Sequence, residues 1–366
     1  MIDSGIRAQR LSHAQSALAA AEADWLIVPA SADFRWLTLA DARVTERLVA
    51  LVVPRAGEPF VVAPRLEAGP LHAACPELAM LVWDEHEDAL ARLLERAAIG
   101  ADTRVAIGEG MRVPQLLRLA GSARCEPAAA VLAPLRAVKD ADELAALAEA
   151  ARHADAVVEA AADHARSGMT ERALARFVTE RFAELGDTDP WVIVASGPNS
   201  ADPHHASNDR GLVEGEVLLL DLGAFTRGYA SDITRTYVLG EPPRQVLRTY
   251  EVVNEARAAG ITAARAGQPA ASVDAAARAV IEAAGLGEFF THRTGHGLGL
   301  EVHEPPWLVR GNGALLAAGN VHSVEPGIYL PGRYGVRLED IVVVGAAGGE
   351  RLNHAPFDLR PPRMRT

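Results

Sequence analysis

The sequence predicts an α/β fold of two domains, and three observations lead to that prediction. The chain has 366 residues, of which 49% are hydrophobic, enough for two full-sized cores. In roughly the first 130 residues, short β-rich segments alternate with helical patterns, as in a small α/β domain. In the remainder, two β-hairpin patterns each lie close in sequence to helical segments. The second domain is therefore expected to contain two similar α/β units that face each other.

The first domain is placed at residues 1–134 from the spacing of its apolar residues and turn residues. Helices are expected at 7–21, 88–97 and 113–120, strands at 25–29, 81–83 and 105–108, and a hairpin at 46–54 and 59–63. No residues of this domain have the spacing of a catalytic site.

The second domain is placed at residues 139–366. Its first long helix is expected from residue 141 to 166, before Gly168, and Thr170 is a suitable N-cap for the next helix. The segments that follow the first helix are a helix at 171–185, a strand at 191–196, a turn at 197–200 and helices at 242–265 and 271–284.

Residues 215–240 form the first hairpin pattern, in which two β-rich runs flank a polar turn at 226–228. Folding the chain between Thr226 and Arg227 places Asp221 opposite Asp232, with Cβ atoms about 4.5–5.5 Å apart. Leucines around Asp221 predict a buried strand, where facing carboxylates repel each other and are poorly solvated. Such a pair is tolerated if a cation lies between the acids or if they share a proton.

The second hairpin pattern, residues 321–344, turns at 331–333. Folding it at the middle of that turn places Glu325 opposite Glu339, although a β-bulge in either hairpin would shift the pairing by one residue. Between the hairpins, the run GHGLG puts His296 in a glycine-rich loop, where the glycines let the backbone approach closely.

These residues together predict a metal site, although each acid taken singly is more often structural. Four carboxylates and one imidazole can hold two divalent ions, whose four positive charges balance four negative charges. Oxygen ligands with one nitrogen and no sulfur favour Mn²⁺ first, with Co²⁺, Fe²⁺ or Zn²⁺ as alternatives. Two such ions would share a water, lower its pKa and stabilise a tetrahedral oxyanion, which suits hydrolysis of an amide or ester. The predicted ligands are Asp221, Asp232, His296, Glu325 and Glu339.

Other polar residues are expected to reach the same cavity. His303 follows the glycine-rich loop and His204 precedes the first hairpin. As neutral imidazoles they could donate hydrogen bonds to a substrate carbonyl or oxyanion. His205 and His292 are further candidates, although any one of these histidines alone is more often a satisfied polar residue. Arg337 lies two residues before the last predicted ligand and shares its strand face; it either orients a ligand carboxylate or forms a structural salt bridge.

Composition excludes several other classes of protein. The net charge of −12 argues against nucleic-acid binding. No run approaches the roughly 18 apolar residues that a membrane helix needs, and the N-terminus has no signal-peptide core. The only cysteines, Cys75 and Cys125, have neither CxxC nor zinc-site spacing. The sequence thus predicts a cytoplasmic protein with no nucleic-acid or membrane partner.

The motifs resemble those of the pita-bread-fold metallopeptidases, in the branch of Xaa-Pro dipeptidase (prolidase) and aminopeptidase P. The resemblance covers nearly the whole chain. It implies a small N-terminal creatinase/prolidase-like α/β domain, a C-terminal pita-bread (creatinase/aminopeptidase-like) catalytic domain, and a homodimer. It is carried by VASGPNSADPHH (194–205), LLLDLGA (218–224), GYASDITRT (228–236), GHGLGLEVHEPP (295–306), SVEPGIYLPG (323–332), GVRLED (335–340) and the linker LRAVKDADEL (135–144).

The resemblance also implies how the metal ligands are shared. By position, Asp221 corresponds to the acid of one metal, and Asp232 and Glu339 correspond to the acids that bridge both. His296 and Glu325 correspond to ligands of the other metal. Because all five are present, metal-free relatives such as creatinase-like enzymes fit poorly, and methionine aminopeptidases normally lack the N-terminal domain.

Roles in catalysis are implied for three of these positions. Glu325 corresponds to a residue that also shuttles a proton. His204 and His303 correspond to histidines that bind the substrate and stabilise the intermediate.

The chain departs from the family pattern in two places. The family's N-terminal loop commonly has Asn and Tyr where this chain has residues 33–38, and in dimeric relatives this region can reach the partner's active site. Arg35 or Trp36 could therefore shape the pocket for the substrate's amino terminus, with a packed loop as the alternative. Some dipeptidases carry an arginine where this chain has Trp307, which weakens the expectation of strict preference for dipeptides.

We predict a cytosolic dinuclear metallopeptidase that cleaves the bond between an N-terminal residue and proline, as an Xaa-Pro dipeptidase acting on small peptides with proline in second position. The alternative is an Xaa-Pro aminopeptidase (aminopeptidase P) acting on longer peptides. Two other classes remain open: a pita-bread binding module without turnover, which the complete ligand set argues against, and a metal-independent hydrolase of small guanidino compounds. EDTA would abolish the activity of a dinuclear metallopeptidase and would leave the activity of the metal-independent hydrolase unchanged.

Overall fold

The protein divides into two compact units, one ending at Arg136 and the other beginning at Ala137. The computed structural model describes residues 4–361. Each unit combines helices and sheets around its own hydrophobic core, which confirms the predicted α/β class. Within residues 4–361, no helix is both long and apolar enough to cross a lipid bilayer.

The first unit is built on one six-stranded sheet. Its strands are β1 (Trp25–Pro29), β2 (Ala50–Pro54), β3 (Phe60–Pro64), β4 (Ala79–Trp83), β5 (Arg104–Ile107) and β6 (Arg124–Pro127). Its helices are α1 (Ser4–Ala20), α2 (Ala32–Thr38), α3 (Arg65–Ala74), α4 (Ala89–Arg96), α5 (Val113–Ala120) and α6 (Ala129–Ala137). The strand order is β4-β3-β2-β1-β5-β6, and every residue of β2 and β3 is buried. Such fully buried strands explain why their sequences are continuous apolar runs.

Helix α2 corrects one prediction, because residues 33–38 are helical rather than part of a loop. Ser31 caps the helix by accepting a hydrogen bond from the Phe34 backbone N–H, and Trp36 and Leu37 are buried. Seven residues make fewer than two turns, which is too short for helical periodicity to be visible in the sequence. Helices α3 and α6 and strand β6 are likewise absent from the sequence prediction.

The second unit contains four long helices and three sheets. Its helices are α7 (Ala141–His164), α8 (Glu171–Glu184), α9 (Arg244–Ala263) and α10 (Ala271–Ala283), and short 3₁₀ helices lie at Gly197–Ala201 and Gly287–Phe289. Its strands are β7 (Thr188–Ser196), β8 (Val217–Thr226), β9 (Tyr229–Ala230), β10 (Ile233–Val238), β11 (Gly295–Gly297), β12 (Glu304–Leu308), β13 (Val321–Val324), β14 (Gly327–Leu330), β15 (Tyr334–Arg337), β16 (Asp340–Val344) and β17 (Gly349–Arg351).

Each predicted hairpin is backed by a pair of helices. Helices α7 and α8 pack on the sheet β10-β8-β7, with Val158 and Phe182 in the shared core. Helices α9 and α10 pack against β13 to β16, with Val253 and Val273 in the cores on that side. These cores hold the polar ends of the hairpins in fixed positions.

The register of the first hairpin differs from the prediction. Strands β8 and β10 pair with Asp221 opposite Thr234, and Asp232 precedes the paired segment. Both turn residues, Arg227 and Gly228, have positive φ, at 52° and 84°. A two-residue turn of this kind matches type I′ and moves the fold point one residue later than predicted. The predicted direct opposition of Asp221 and Asp232 is therefore wrong, although both carboxylates still line one cavity.

The register of the second hairpin is confirmed. Gly327 pairs with Arg337 in β14 and β15, and Val324 pairs with Asp340 in β13 and β16. The same register runs through both pairs of strands, so Glu325 and Glu339 lie opposite each other where the ladder is interrupted. Because the ladder is interrupted here, the two side chains need not follow the regular alternation of a continuous strand.

The glycine-rich segment around His296 is a strand rather than the predicted loop. Strand β11 pairs with β12 on one side and β13 on the other. A Cβ atom at Gly295 would lie 2.1 Å from the Ser323 carbonyl oxygen, and one at Gly297 would lie 2.3 Å from the Pro305 carbonyl oxygen. Glycine is required here because neighbouring backbones approach from both sides.

Candidate metal centre

Three predicted ligands form the centre of the site. Potential ligand atoms of Asp232, His296 and Glu339 all lie within 4.8 Å of one another, and all three residues are buried. The His296 Nδ1–H donates to the Gly297 carbonyl at 3.1 Å. This hydrogen bond orients the ring so that Nε2 faces the carboxylates. Burial lowers the pKa of His296, but the hydrogen bond and charge of Glu325 and the charge of Asp232 outweigh burial and raise it. Without a metal Nε2 therefore favours a proton, and a cation would take the place of that proton.

Asp221 and Glu325 complete the predicted set. Glu325 Oε1 is 3.3 Å from His296 Nε2 and accepts from Ser323 Oγ at 3.2 Å. Together with His204, His303 and Arg337, the five predicted ligands line a cavity of about 470 Å³. Of the candidates in the second unit, the structure brings His292 to the same cavity as well, whereas His205 does not line it and hydrogen-bonds to Glu171 instead.

The carboxyl groups in this cavity have opposing protonation preferences. Burial raises the pKa of Asp232 well above its usual value, and the Asp221 carboxylate raises it further. Burial likewise raises the pKa of Glu339, with Asp232 adding to the effect. In Glu325 burial also raises the pKa, but the hydrogen bond and charge of His296, with the charges of His292 and Arg337, together outweigh burial and bring the pKa to about 2. Cations would relieve the repulsion that drives Asp232 and Glu339 towards the neutral form.

The donor set fits divalent cations. Glu339 Oε2 accepts from Thr234 Oγ1 at 2.7 Å, whereas its Oε1 is buried and has no hydrogen-bond partner among residues 4–361. A buried carboxylate oxygen is costly in free energy unless a donor or a cation meets it. The four carboxylates and one imidazole that line this cavity match the ligands of Mn²⁺ and similar ions.

Arg337 orients one carboxylate of the site. Its Nη2 donates to Asp221 Oδ2 at 2.5 Å, its Nε donates to Thr234 Oγ1 at 3.1 Å, and its Nη1 donates to the Pro203 carbonyl at 3.3 Å. Burial lowers the pKa of the guanidinium, but interactions with Tyr329 and Asp221 outweigh burial and raise it well above its usual value. Arg337 thus contacts both a predicted ligand and the segment that carries His204.

A second hydrogen-bonded chain runs from Arg337 to His292. Arg337 Nη1 donates to the Tyr329 oxygen at 2.8 Å, and the Tyr329 hydroxyl lies 2.8 Å from His292 Nε2. The His292 Nδ1–H donates to the Arg293 carbonyl at 2.7 Å, so Nε2 accepts from Tyr329. Burial raises the pKa of Tyr329 to about 12 and lowers that of His292, which keeps both groups neutral.

His204 is exposed to the cavity, and a buried carboxylate fixes the loop that carries it. Glu171 is fully buried, and although burial raises its pKa, hydrogen bonds outweigh this and lower it. Because the donors come from both ends of this loop, Glu171 positions His204 without touching it. Glu171 accepts from Ser196 N and Oγ (2.8 and 2.7 Å), Asn199 Nδ2 (3.0 Å), His205 Nε2 (2.8 Å) and Asn208 N (3.2 Å).

His303 lies beside His296, with 4.2 Å between ring centroids. Burial, the charge of His296 and the charge of Arg293 together lower the pKa of His303 to about 4. The neighbouring residue Glu304 accepts from Lys139 Nζ at 2.5 Å, in an ion pair that is almost fully buried. His303 is thus a neutral imidazole on a segment anchored by an ion pair.

Arg35 and Trp36 lie in the first unit. Arg35 Nε is 3.2 Å from Asp41 Oδ1. Trp36 is 4% exposed, with the Arg10 guanidinium 4.8 Å from the ring centroid. A role for Arg35 or Trp36 in a substrate pocket stays a prediction.

Sequence reasoning misses several residues of this site. Period-2 alternation from Glu325 would have placed Tyr329 on the same strand face, so a signal for Tyr329 was present. Glu171 has no such signal, since an acid directly after the N-cap Thr170 ordinarily stabilises the helix dipole. Arg293 lines the cavity and is likewise absent from the prediction.

Two protein families match the chain. Residues 145–346 match metallopeptidase family M24, and residues 10–138 match the creatinase/prolidase N-terminal domain.

Similar proteins match over almost the whole chain. The probable dipeptidase PepE of Mycobacterium tuberculosis is 41% identical over 364 residues, which covers 98% of this chain and 97% of the relative. The crystal structure of dipeptidase PepE from Mycobacterium ulcerans has a TM-score of 0.93 and 40% identity, and the match covers 98% of both chains. The prolidase from Thermococcus sibiricus has a TM-score of 0.89 and 34% identity, covering 96% of this chain and 98% of the other.

Proposed function

Because the chain belongs to metallopeptidase family M24, we propose that it is an Xaa-Pro dipeptidase, which hydrolyses the peptide bond between an N-terminal residue and proline. The observation that carries the proposal is the single cavity lined by four carboxylates, four histidines and the two arginines Arg293 and Arg337. The similar proteins are named dipeptidase and prolidase, which supports a dipeptidase rather than aminopeptidase P.

We assign two divalent ions to the five clustered side chains, with Mn²⁺ as first choice. By the family resemblance, Asp221, Asp232 and Glu339 would hold one ion, and Asp232, Glu339, His296 and Glu325 would hold the other. The unpartnered Glu339 Oε1 and the His296 Nε2, which faces the Glu325 and Asp232 carboxylates, support this assignment. When bound, the ions supply a water of lowered pKa as the nucleophile and polarise the scissile carbonyl.

The protein's own side chains handle the proton and the oxyanion. Glu325, in contact with His296 and Ser323 and ionised before the reaction, takes the proton that the attacking water loses and passes it to the leaving proline nitrogen. That proton is needed because an amide nitrogen leaves readily only as the neutral amine. His303, neutral with a pKa of about 4, donates a hydrogen bond to the carbonyl oxygen as negative charge develops, and His204 does so from the other segment of the cavity wall.

A direct assay tests this function. Protein reconstituted with Mn²⁺ should hydrolyse Ala-Pro, and EDTA should remove the activity, because the nucleophile depends on the ions. Ala-Pro-Ala should remain uncleaved. Parallel reconstitution with Co²⁺, Fe²⁺ and Zn²⁺ compares the metals.

The other outcomes of this assay are equally informative. Cleavage of Ala-Pro-Ala alone would assign the protein to aminopeptidase P. Activity that persists in EDTA, or no turnover of either peptide after reconstitution, would contradict a metal-dependent Xaa-Pro peptidase.

We also propose that the protein is a cytosolic homodimer. The low cysteine content supports a reducing compartment, and Cys75 and Cys125 are not bonded to each other. The family resemblance supports the dimer. Sedimentation equilibrium should give twice the chain mass of 38.7 kDa, and a single-chain mass would contradict it.

A further inference from the structure

The cavity wall carries a cation that no carboxylate of the protein neutralises. Arg293 and Arg337 both line the cavity, but Arg337 is bonded to Asp221 and Tyr329. Among the residues that the structure describes, the Arg293 guanidinium has no hydrogen-bond or ion-pair partner. It lies over the ring of Trp307 instead, 4.5 Å from the ring centroid. A cation held this way is available to a ligand.

Trp307 places that guanidinium beside the metal centre. Strands β11 and β12 pair with His296 opposite Trp307, so the two side chains share a face with Cβ atoms about 4.5–5.5 Å apart. Arg293 itself precedes His296 by three residues and is half-buried. Stacking on an indole orients a flat guanidinium and leaves its N–H edge free for a planar anion.

The substrate supplies a matching anion. An Xaa-Pro dipeptide ends in a carboxylate within one residue of the scissile bond, and consecutive Cα atoms are about 3.8 Å apart. Four ligand carboxylates and two divalent ions balance each other's charge, so the metal centre offers this anion no net attraction. A carboxylate that enters a partly buried cavity without a partner loses solvation, whereas a guanidinium can meet it with two parallel hydrogen bonds.

We propose that Arg293, held against Trp307, binds the free C-terminal carboxylate of the dipeptide and so sets the preference for dipeptides over longer peptides. The inference rests on the proposed dipeptidase function and adds the residue that determines its substrate length. A longer peptide continues through a neutral amide at this position, and a dipeptide amide likewise lacks the charge.

The test compares Ala-Pro with Ala-Pro amide in wild type and in Arg293→Met. The substitution should raise the KM for Ala-Pro about 10- to 100-fold, as expected for a lost charge-assisted pair, and should change kcat much less. Turnover of Ala-Pro amide should stay at its wild-type value. Arg293→Lys keeps the charge without the planar fork and should fall in between.

A matched control is available in Arg181→Met. Arg181 also lies over an aromatic ring, that of Phe177 at 5.4 Å, but it does not line the cavity. This variant should leave the ratio of activity on Ala-Pro to activity on Ala-Pro amide unchanged. Trp307→Leu keeps Arg293 but removes the ring on which its guanidinium stacks. Like Arg293→Met, it should lower the ratio of activity on Ala-Pro to activity on Ala-Pro amide.

Binding of proline and of prolinamide, measured by calorimetry, gives a readout that does not require turnover. Wild type should bind proline more tightly, and Arg293→Met should lose that difference. If wild type hydrolyses no Xaa-Pro dipeptide, the proposed function fails. If wild type hydrolyses these dipeptides but the variants keep the wild-type ratio of activity on Ala-Pro to activity on Ala-Pro amide, the role of Arg293 is overturned while the function stands. Should Arg293→Met not fold, Arg293→Lys and Trp307→Leu decide the question.

Discussion

Asp232→Asn is expected to abolish metal-dependent activity while making the metal-free protein more stable. The amide cannot replace a bridging carboxylate, so metal content should fall below two ions per chain. Metal ions contribute several kcal/mol to such reactions, and each 1.36 kcal/mol is a factor of ten, so kcat should fall about 10³-fold. Mass spectrometry of bound metal and steady-state hydrolysis of Ala-Pro measure both effects.

The stabilisation of the metal-free form follows from the same charge. Burial and the Asp221 carboxylate hold the pKa of Asp232 well above its usual value, so the folded state binds more protons than the unfolded state. This group therefore costs stability as pH rises above its unfolded pKa, and an amide removes that cost. A shift of one pKa unit corresponds to about 1.36 kcal/mol, which changes Tm by roughly 3–5 °C in a domain of about 230 residues.

The pH dependence and a surface control separate this effect from a general gain in stability. The rise in Tm should be present in metal-free protein at pH 7 and should vanish only below about pH 3, where the carboxyl is protonated in the unfolded as well as the folded state. Asp102→Asn, at a side chain that is 95% exposed, should change neither metal content nor Tm appreciably. An Asp232→Asn protein that keeps two ions and full kcat would contradict the assigned role.

The two hairpins show what the sequence could and could not predict. The second register was predictable because its turn has three residues centred on Gly332, and Glu325 and Glu339 follow from symmetry about that turn. The first register was missed by one residue because Arg227 adopts positive φ, which the residue type does not favour. The predicted ligands nevertheless line one cavity, since a shift of one residue in the fold point moves the partner by two and preserves the strand face.

Residues that act through other residues were hardest to predict. Glu171 and Lys139 lie far in sequence from the segments they fix, and each meets its partners only through tertiary packing. Their residue types and spacings are those of ordinary helix starts and linkers. Buried hydrogen-bond networks of this kind become visible only when distances are known.

Arg337→Met should weaken both metal binding and the fold. Removing one partner of a buried ion pair leaves an uncompensated charge on Asp221, which typically costs about 3–5 kcal/mol. Loss of a residue that orients a metal ligand typically lowers metal affinity or activity by about 10–100-fold. Thermal unfolding of the metal-free protein and metal titration of the folded protein measure these separately. Arg337→Lys should be intermediate, because it retains the charge but cannot contact Asp221, Thr234 and Tyr329 at once.

A double-mutant cycle shows whether the pair with Asp221 is the cause. In the metal-free protein, Asp221→Asn combined with Arg337→Met should destabilise by less than the sum of the single changes, because the double variant buries neither charge. If the two effects simply add, Arg337 acts instead through Tyr329 and the Pro203 carbonyl, its other contacts. In that case metal affinity should survive in Arg337→Met and the loss should appear in kcat, since the Pro203 contact fixes the segment that carries His204.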